Sequence, residues 1–339
     1  MLTLLRPDDF HVHLRDGVEL QAVARYSAER FGRVLVMPNL EPPIRTAAQV
    51  IAYRERIIKA AAAPGFEPLM TIMLTEDTTQ DQLREAREHI HGVKYYPDKS
   101  GPFPPRRTVL ATLEELDIPL LLHAEATYGD IFSREALFID LLGEVVDRYP
   151  KLRVVLEHIS TAEAVDFVLQ AREGVAATIT AHHLMWNRGD MLAGALRPHL
   201  YCAPVLKTET DRLALLRAAT SGNHKFFLGT YSAPHSRTDK ESPCCPAGIF
   251  TAHAAIELYA EKFADAQALH RLEGFASRFG CAFYKLPLPT QTITLQQKPW
   301  RVPLELPFGA GKLRPALAGQ LVHWRIRQPE ACRGIRREP

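Results

Sequence analysis

Short apolar, β-forming runs recur along the chain, separated by longer stretches in which apolar positions return every three to four residues. The runs fall at 10–15, 33–39, 68–74, 92–97, 119–124, 153–158, 175–180 and 225–231, and predict eight strands. Helical periodicity is clearest at 46–63, 79–90, 133–149, 161–171 and 208–219, with Thr46, Ser133 and Thr161 placed as N-caps. Strand and helix alternating in this number predict an α/β fold, a (β/α)8 TIM-type barrel and not an open doubly wound sheet. No internal repeat is visible. Residues 249–280 read as further helices, 290–326 as an appendage of short strands or loops, and 327–339 as a solvated flexible tail. The expected organisation is one domain over 1–326.

Composition narrows the class of partner. Hydrophobic residues make up 46% of 339, enough for a large core, and 41 Lys plus Arg against 39 Asp plus Glu leave no net field for nucleic acid or an acidic membrane. A small-molecule substrate is expected. The start, Met-Leu-Thr-Leu-Leu-Arg-Pro-Asp-Asp, is too short and acidic for a signal peptide, and no apolar run approaches the roughly 20 residues of a membrane span. A soluble, cytoplasmic protein is expected, with its five cysteines (Cys202, Cys244, Cys245, Cys281, Cys332) reduced, since they form no Cys-x-x-Cys pair. No Gly-x-Gly-x-x-Gly follows a strand, and Gly309-Ala-Gly-Lys312 lacks the rest of a P-loop, which argues against a nucleotide enzyme.

Candidate chemistry clusters at the ends of the predicted strands, where barrel active sites lie. His11 and His13 share one face of the first strand, Asn39 ends the second, Lys94 lies in the fourth, His123 is late in the fifth and His158 ends the sixth. Neutral imidazoles converging on one mouth suit a metal ion. A His-x-His pair is weak evidence alone, for His89 and His91 repeat it; those two precede the fourth strand and are expected at the opposite rim or a helix end, in solvent. Arg15, two positions beyond His13, is expected in the same mouth by alternation. His182 and His183 are expected to flank the loop after the seventh strand without binding metal.

The segments Arg-Pro-Asp-Asp-Phe-His-Val-His-Leu-Arg-Asp-Gly (6–17), Val-Met-Pro-Asn-Leu-Glu-Pro-Pro (36–43), Glu-His-Ile-Ser-Thr (157–161), Asn-Arg…Arg-Pro-His-Leu-Tyr-Cys (187–202) and Phe-Leu-Gly-Thr-Tyr-Ser-Ala-Pro-His (227–235) resemble the amidohydrolase superfamily, and within it the single-function bacterial dihydroorotases. The resemblance implies reversible cyclisation of N-carbamoyl-L-aspartate to (S)-dihydroorotate in de novo pyrimidine (UMP) biosynthesis, by a homodimer. It also implies two zinc ions per chain, one held by His11 and His13 and the other by His123 and His158. Lys94 would bridge them as a carbamate, because a carbamylated lysine presents two anionic oxygens where an ammonium presents none. Substrate would be held by Arg15, Asn39 and His235 at its carboxylate, by backbone at Ala203 and Ala247, and by His123 at the edge of the metal pair.

Two departures stand against the family pattern. The resemblance places a catalytic, metal-ligating aspartate at position 231, where this chain has Tyr231. A phenol with a pKa near 10 is a poor base at neutral pH and is larger than a carboxylate, so impaired activity is expected. The alternative is a catalytically silent barrel of the same family with a structural or partner-binding role. The second departure is the family's closing loop with adjacent threonines, replaced at 98–108 by a shorter proline-rich stretch in which Ser100 and Thr108 are the candidate substitutes.

Overall fold

The computed structural model describes residues 1–327 apart from the side chain of Asp98. The expected tail 327–339, with Cys332, lies outside the described residues except for Arg327. The strands in chain order are β1 (Leu2–Leu5), β2 (Asp9–Val12), β3 (Arg33–Val36), β4 (Glu67–Met73), β5 (Gly92–Tyr95), β6 (Leu120–Leu122) and β7 (Val154–Leu156). They continue with β8 (Val175–Ile179), β9 (Phe226–Leu228), β10 (Thr292–Arg301), β11 (Leu306–Phe308), β12 (Gly311–Leu313) and β13 (Leu321–Ile326). Strands β2 to β9 pair in sequence order, all parallel, in one eight-stranded sheet. Their side chains are buried on both faces apart from Glu67, the pattern of a parallel sheet covered inside and out.

The barrel closes between its first and last strands. Val12 bridges Ser232, the Tyr231 N–H donates to the His11 carbonyl at 2.7 Å, and the His13 N–H donates to the Ser232 carbonyl at 3.0 Å. Asp9 fastens the same seam, accepting from the Thr230 N–H and hydroxyl at 2.8 and 2.6 Å. Burial pushes the Asp9 carboxyl up to about 7 against these bonds.

Inward residues Phe10, Leu35, Leu69, Leu121, Val155, Ala176 and Phe227 fill the barrel and pack on Cys281 and Tyr284 of the helix Phe279–Tyr284. The Phe10 and Tyr284 rings stack at 5.0 Å. The outer layer is helical as predicted, with boundaries tightened to Ala47–Ala61, Arg134–Arg148, Ala162–Gln170 and Glu209–Thr220. The stretch at 79–90 splits into an α-helix over Gln80–Ala86 and a 3-10 turn over Arg87–His89. Thr46 and Thr161 cap as expected, whereas the Ser133 side chain makes no cap bond. The appendage at 290–326 forms the β11–β12 hairpin and a sheet in which β10 lies between β13 and β1, drawing in the N-terminal strand.

The strands end earlier than the sequence runs predict, at Val12, Val36, Leu122, Leu156 and Leu228. The residues beyond leave the ladder to turn polar side chains into the mouth. Arg15, His158 and Tyr231 do so with φ of 61°, 45° and 45°, a left-handed conformation costly for side chains of this size.

The turn bearing His158 is held from outside by Glu135, which is 1% exposed. It accepts from the N–H groups of Ser160 and Thr161 at 2.9 Å and from their hydroxyls at 2.6 and 2.7 Å. Glu135→Ala strands these buried donors and is expected to cost about 3 kcal/mol, read as a lower urea midpoint.

Candidate metal centre and substrate pocket

His11 projects from β2 into the mouth, fully buried, with Nδ1 2.8 Å from Glu157 Oε2. Glu157 follows β7 and also accepts from the Thr178 hydroxyl at 2.6 Å; burial pushes its carboxyl up to about 7 against the pull of Lys94. A carboxylate on Nδ1–H turns the Nε2 lone pair of His11 toward the cavity. His11 Nε2, Lys94 Nζ and His158 Nδ1 have no hydrogen-bond partner among the described residues. The His11 ring lies 5.4 Å from that of His13 and 4.8 Å from that of His158, which lies 4.9 Å from that of His123. The imidazoles thus run His13, His11, His158, His123 around Lys94.

Burial, followed by mutual repulsion and Lys94, holds His11, His13 and His158 well below the usual histidine range, so all are neutral and able to ligate. Lys94 is 1% exposed and desolvation pulls it down to about 8, which enlarges the fraction of neutral amine able to add carbon dioxide. His123 is oriented by Glu125, its Nε2 2.8 Å from Oε2, with Lys207 4.0 Å from the other carboxylate oxygen. Gly229 permits the close approach at the end of β9, since a Cβ there would stand 2.7 Å from Thr178 and 3.0 Å from His11. Buried donor atoms without partners beside neutral imidazoles are a donor set that suits a metal centre.

Tyr231 is 7% exposed and covers this nest. Its ring lies 4.4 Å from His158, 5.0 Å from His11 and 5.4 Å from His13. Burial raises the phenol well above its ordinary value, reinforced by Tyr96, Cys202 and Glu125, so it keeps its proton. A position with φ of 45° is one that aspartate adopts far more readily than tyrosine.

A cavity of about 350 Å³ brings together every expected site residue except Ala203. Ala203 lines an adjoining pocket that shares His123 and Ala247 with it. A larger outer cleft of about 590 Å³ shares Arg15, Asn39 and His235. Strand alternation does not place Arg15, because β2 ends at Val12. Its left-handed backbone turns it, and bonds from Nε to the Pro234 carbonyl and from Nη2 to His235 Nε2, both 2.8 Å, fix it. Asn39 Oδ1 is buried without a partner among the described residues.

Three further expectations change. His89 is exposed, but His91, just before β5, is half-buried and pulled down to about 4, mainly by desolvation. Ser100 is 4% exposed and its hydroxyl accepts from the Tyr96 N–H at 2.9 Å, so it is turned into the fold. Thr108 is exposed in the helix Arg107–Glu115. Sequence reasoning gave no role to Glu157, Glu125 or Thr178; the adjacency of Glu157 to His158 and of Glu125 to His123 was the available signal.

Comparison with known proteins agrees with this geometry. A family model described as amidohydrolase matches residues 44–188. A dihydroorotase from Microcystis aeruginosa is 51% identical over 340 residues, covering 96% of this chain and 98% of that protein. Solved dihydroorotases superpose closely: that of Campylobacter jejuni has a TM-score of 0.89 at 32% identity, covering 96% of this chain and 97% of its own. That of Saccharomyces cerevisiae, in complex with 5-fluoroorotic acid, also scores 0.89 at 31% identity, over 96% and 98%. On its strand-end histidines and lysine, and on likeness to these relatives over nearly its whole length, the chain belongs to the dihydroorotase family of amidohydrolases.

Proposed function

We propose that the pocket is built for the zinc-dependent, reversible cyclisation of N-carbamoyl-L-aspartate to (S)-dihydroorotate in de novo pyrimidine biosynthesis, and that Tyr231 impairs it. The observation that carries this reading is the set of buried, unpartnered atoms His11 Nε2, Lys94 Nζ and His158 Nδ1 beside Arg15 and Asn39. His11, His13, His123, His158 and a carbamylated Lys94 would hold two zinc ions, which when bound supply Lewis acidity and lower the pKa of water.

The protein groups do the remainder. Arg15, with Asn39 and His235, grips the substrate carboxylate through charge-assisted bonds and sets the ring's orientation. The yeast relative's ligand is likewise a pyrimidine bearing a carboxylate. Opening the ring requires a proton to leave water and reach the departing ring nitrogen, and closing it reverses that path. Position 231 faces the nest where this transfer takes place, yet a neutral buried phenol cannot accept the proton. The same observation favours the second reading, a silent member of the family whose metal framework is structural.

A zinc-loaded chain assayed for loss of N-carbamoyl-L-aspartate separates the two: slow turnover supports the impaired enzyme and none supports the silent barrel. Arg15→Lys removes the guanidinium fork. It is expected to weaken dihydroorotate binding by about 10–100-fold, the worth of a charge-assisted bond of about 1.5–3 kcal/mol, as measured by calorimetry.

A further inference from the structure

A tight cluster of metal-ligating side chains lies behind the substrate pocket. His182 and His183, in the helix Ala181–Met185 after β8, meet Cys202 so that one donor atom from each lies within 4.8 Å of the others. All three are buried, at 0%, 2% and 0% exposed. The Pro204 carbonyl is a fourth donor, 3.1 Å from His183 Nε2 and 3.2 Å from Cys202 Sγ, while Sγ and Nε2 are 3.9 Å apart. Metal–nitrogen and metal–sulfur bonds of about 2.0–2.3 Å in a tetrahedral site put neighbouring donors roughly 3.3–3.7 Å apart, so the His183, Cys202 and Pro204 atoms need shifts of a few tenths of an ångström, while His182, within 4.8 Å of the other two side chains, closes by up to about 1.5 Å.

His182 supplies the independent observation. Both of its ring nitrogens lack a hydrogen-bond partner among the described residues, although the side chain is fully buried. A neutral imidazole has a donor and an acceptor to satisfy, and stranding either costs about 1–3 kcal/mol. The His183 ring is fixed by Nδ1 2.8 Å from the Thr180 hydroxyl, and a cation at Nε2 would take the place of the proton that Nε2 now shares with the Pro204 carbonyl.

We propose that His182, His183, Cys202 and the Pro204 carbonyl form a further cation site, separate from the pair at Lys94, selective for a borderline ion such as Zn²⁺. Two imidazoles and a sulfur exclude Mg²⁺ and Ca²⁺, which take oxygen. Binding replaces the thiol proton, which passes to solvent. The ion ties the turn after β8 to residues 202–204, and so fixes Ala203 at the edge of the pocket. The proposal departs from the sequence reading, which kept His182 and His183 away from metal.

Co²⁺ tests the site on the full-length protein, since thiolate-to-cobalt charge transfer gives a near-ultraviolet band that the His and carbamate ligands around Lys94 cannot produce. The parent is expected to show this band at saturating Co²⁺, and both Cys202→Ser and His182→Gln to lose it. Absence of the band in the parent overturns the proposal, as does its survival in Cys202→Ser, which would assign it to another cysteine, or in His182→Gln. Circular dichroism of each metal-free variant checks folding, and if Cys202→Ser does not fold, His182→Gln decides.

Discussion

Tyr231→Asp is expected to raise the rate of N-carbamoyl-L-aspartate cyclisation by about 10²–10⁴-fold over the unaltered, zinc-loaded chain, the span a positioned general base contributes. The surroundings of position 231 would suit a carboxylate. Its backbone sits at φ 45°, its N–H is fixed to the His11 carbonyl, and its ring is pressed against His158 and His11. Aspartate occupies that conformation with less strain, vacates the space of a phenol ring, and supplies both an anionic ligand and a proton acceptor. Tyr231→Phe is the control, expected to match the parent. A loss of residual activity in that variant would show that the hydroxyl takes part in proton transfer.

Lys94→Ala is expected to lose bound zinc from both halves of the centre, and with it all cyclisation, even when combined with Tyr231→Asp. The reason is the place of Lys94: its Nζ is buried beside His11, His158 and Glu157, and burial, partly offset by the Glu157 charge, brings the amine down to about 8. An unpaired ammonium there is unfavourable, whereas a carbamate gains two metal contacts. Metal analysis after dialysis should find zinc retained by the parent and lost by Lys94→Ala. Reloading the parent in buffer stripped of carbon dioxide should fail, and bicarbonate should restore it. Full zinc content in Lys94→Ala would remove the lysine from the centre.

The barrel was legible because each strand is buried on both faces and so reads as an unbroken apolar run, and because helices cover the outside at regular spacing. Strand ends were not legible. The runs through His158 and Tyr231 keep strand-like composition while the backbone turns left-handed, which depends on contacts such as those of Glu135 and Asp9. Arg15 reaches the expected mouth through Pro234 and His235, 219 and 220 residues away, and not through alternation. Long separation likewise hides the pairing of His11 with Glu157, 146 residues apart, and of β1 with β10. The strand-end histidines could be found because the barrel's topology alone gathers them; their supporting carboxylates could not, since any of 39 acidic residues was available.

The most direct test is anomalous diffraction at the zinc edge from crystals of the unaltered chain grown with zinc and bicarbonate. The expected result is a pair of peaks roughly 3.5–4 Å apart, one beside His11 and His13 and one beside His123 and His158, with carbamate density on Lys94 between them. A bare Lys94 amine, with no peak in the nest beneath Tyr231, would contradict the account.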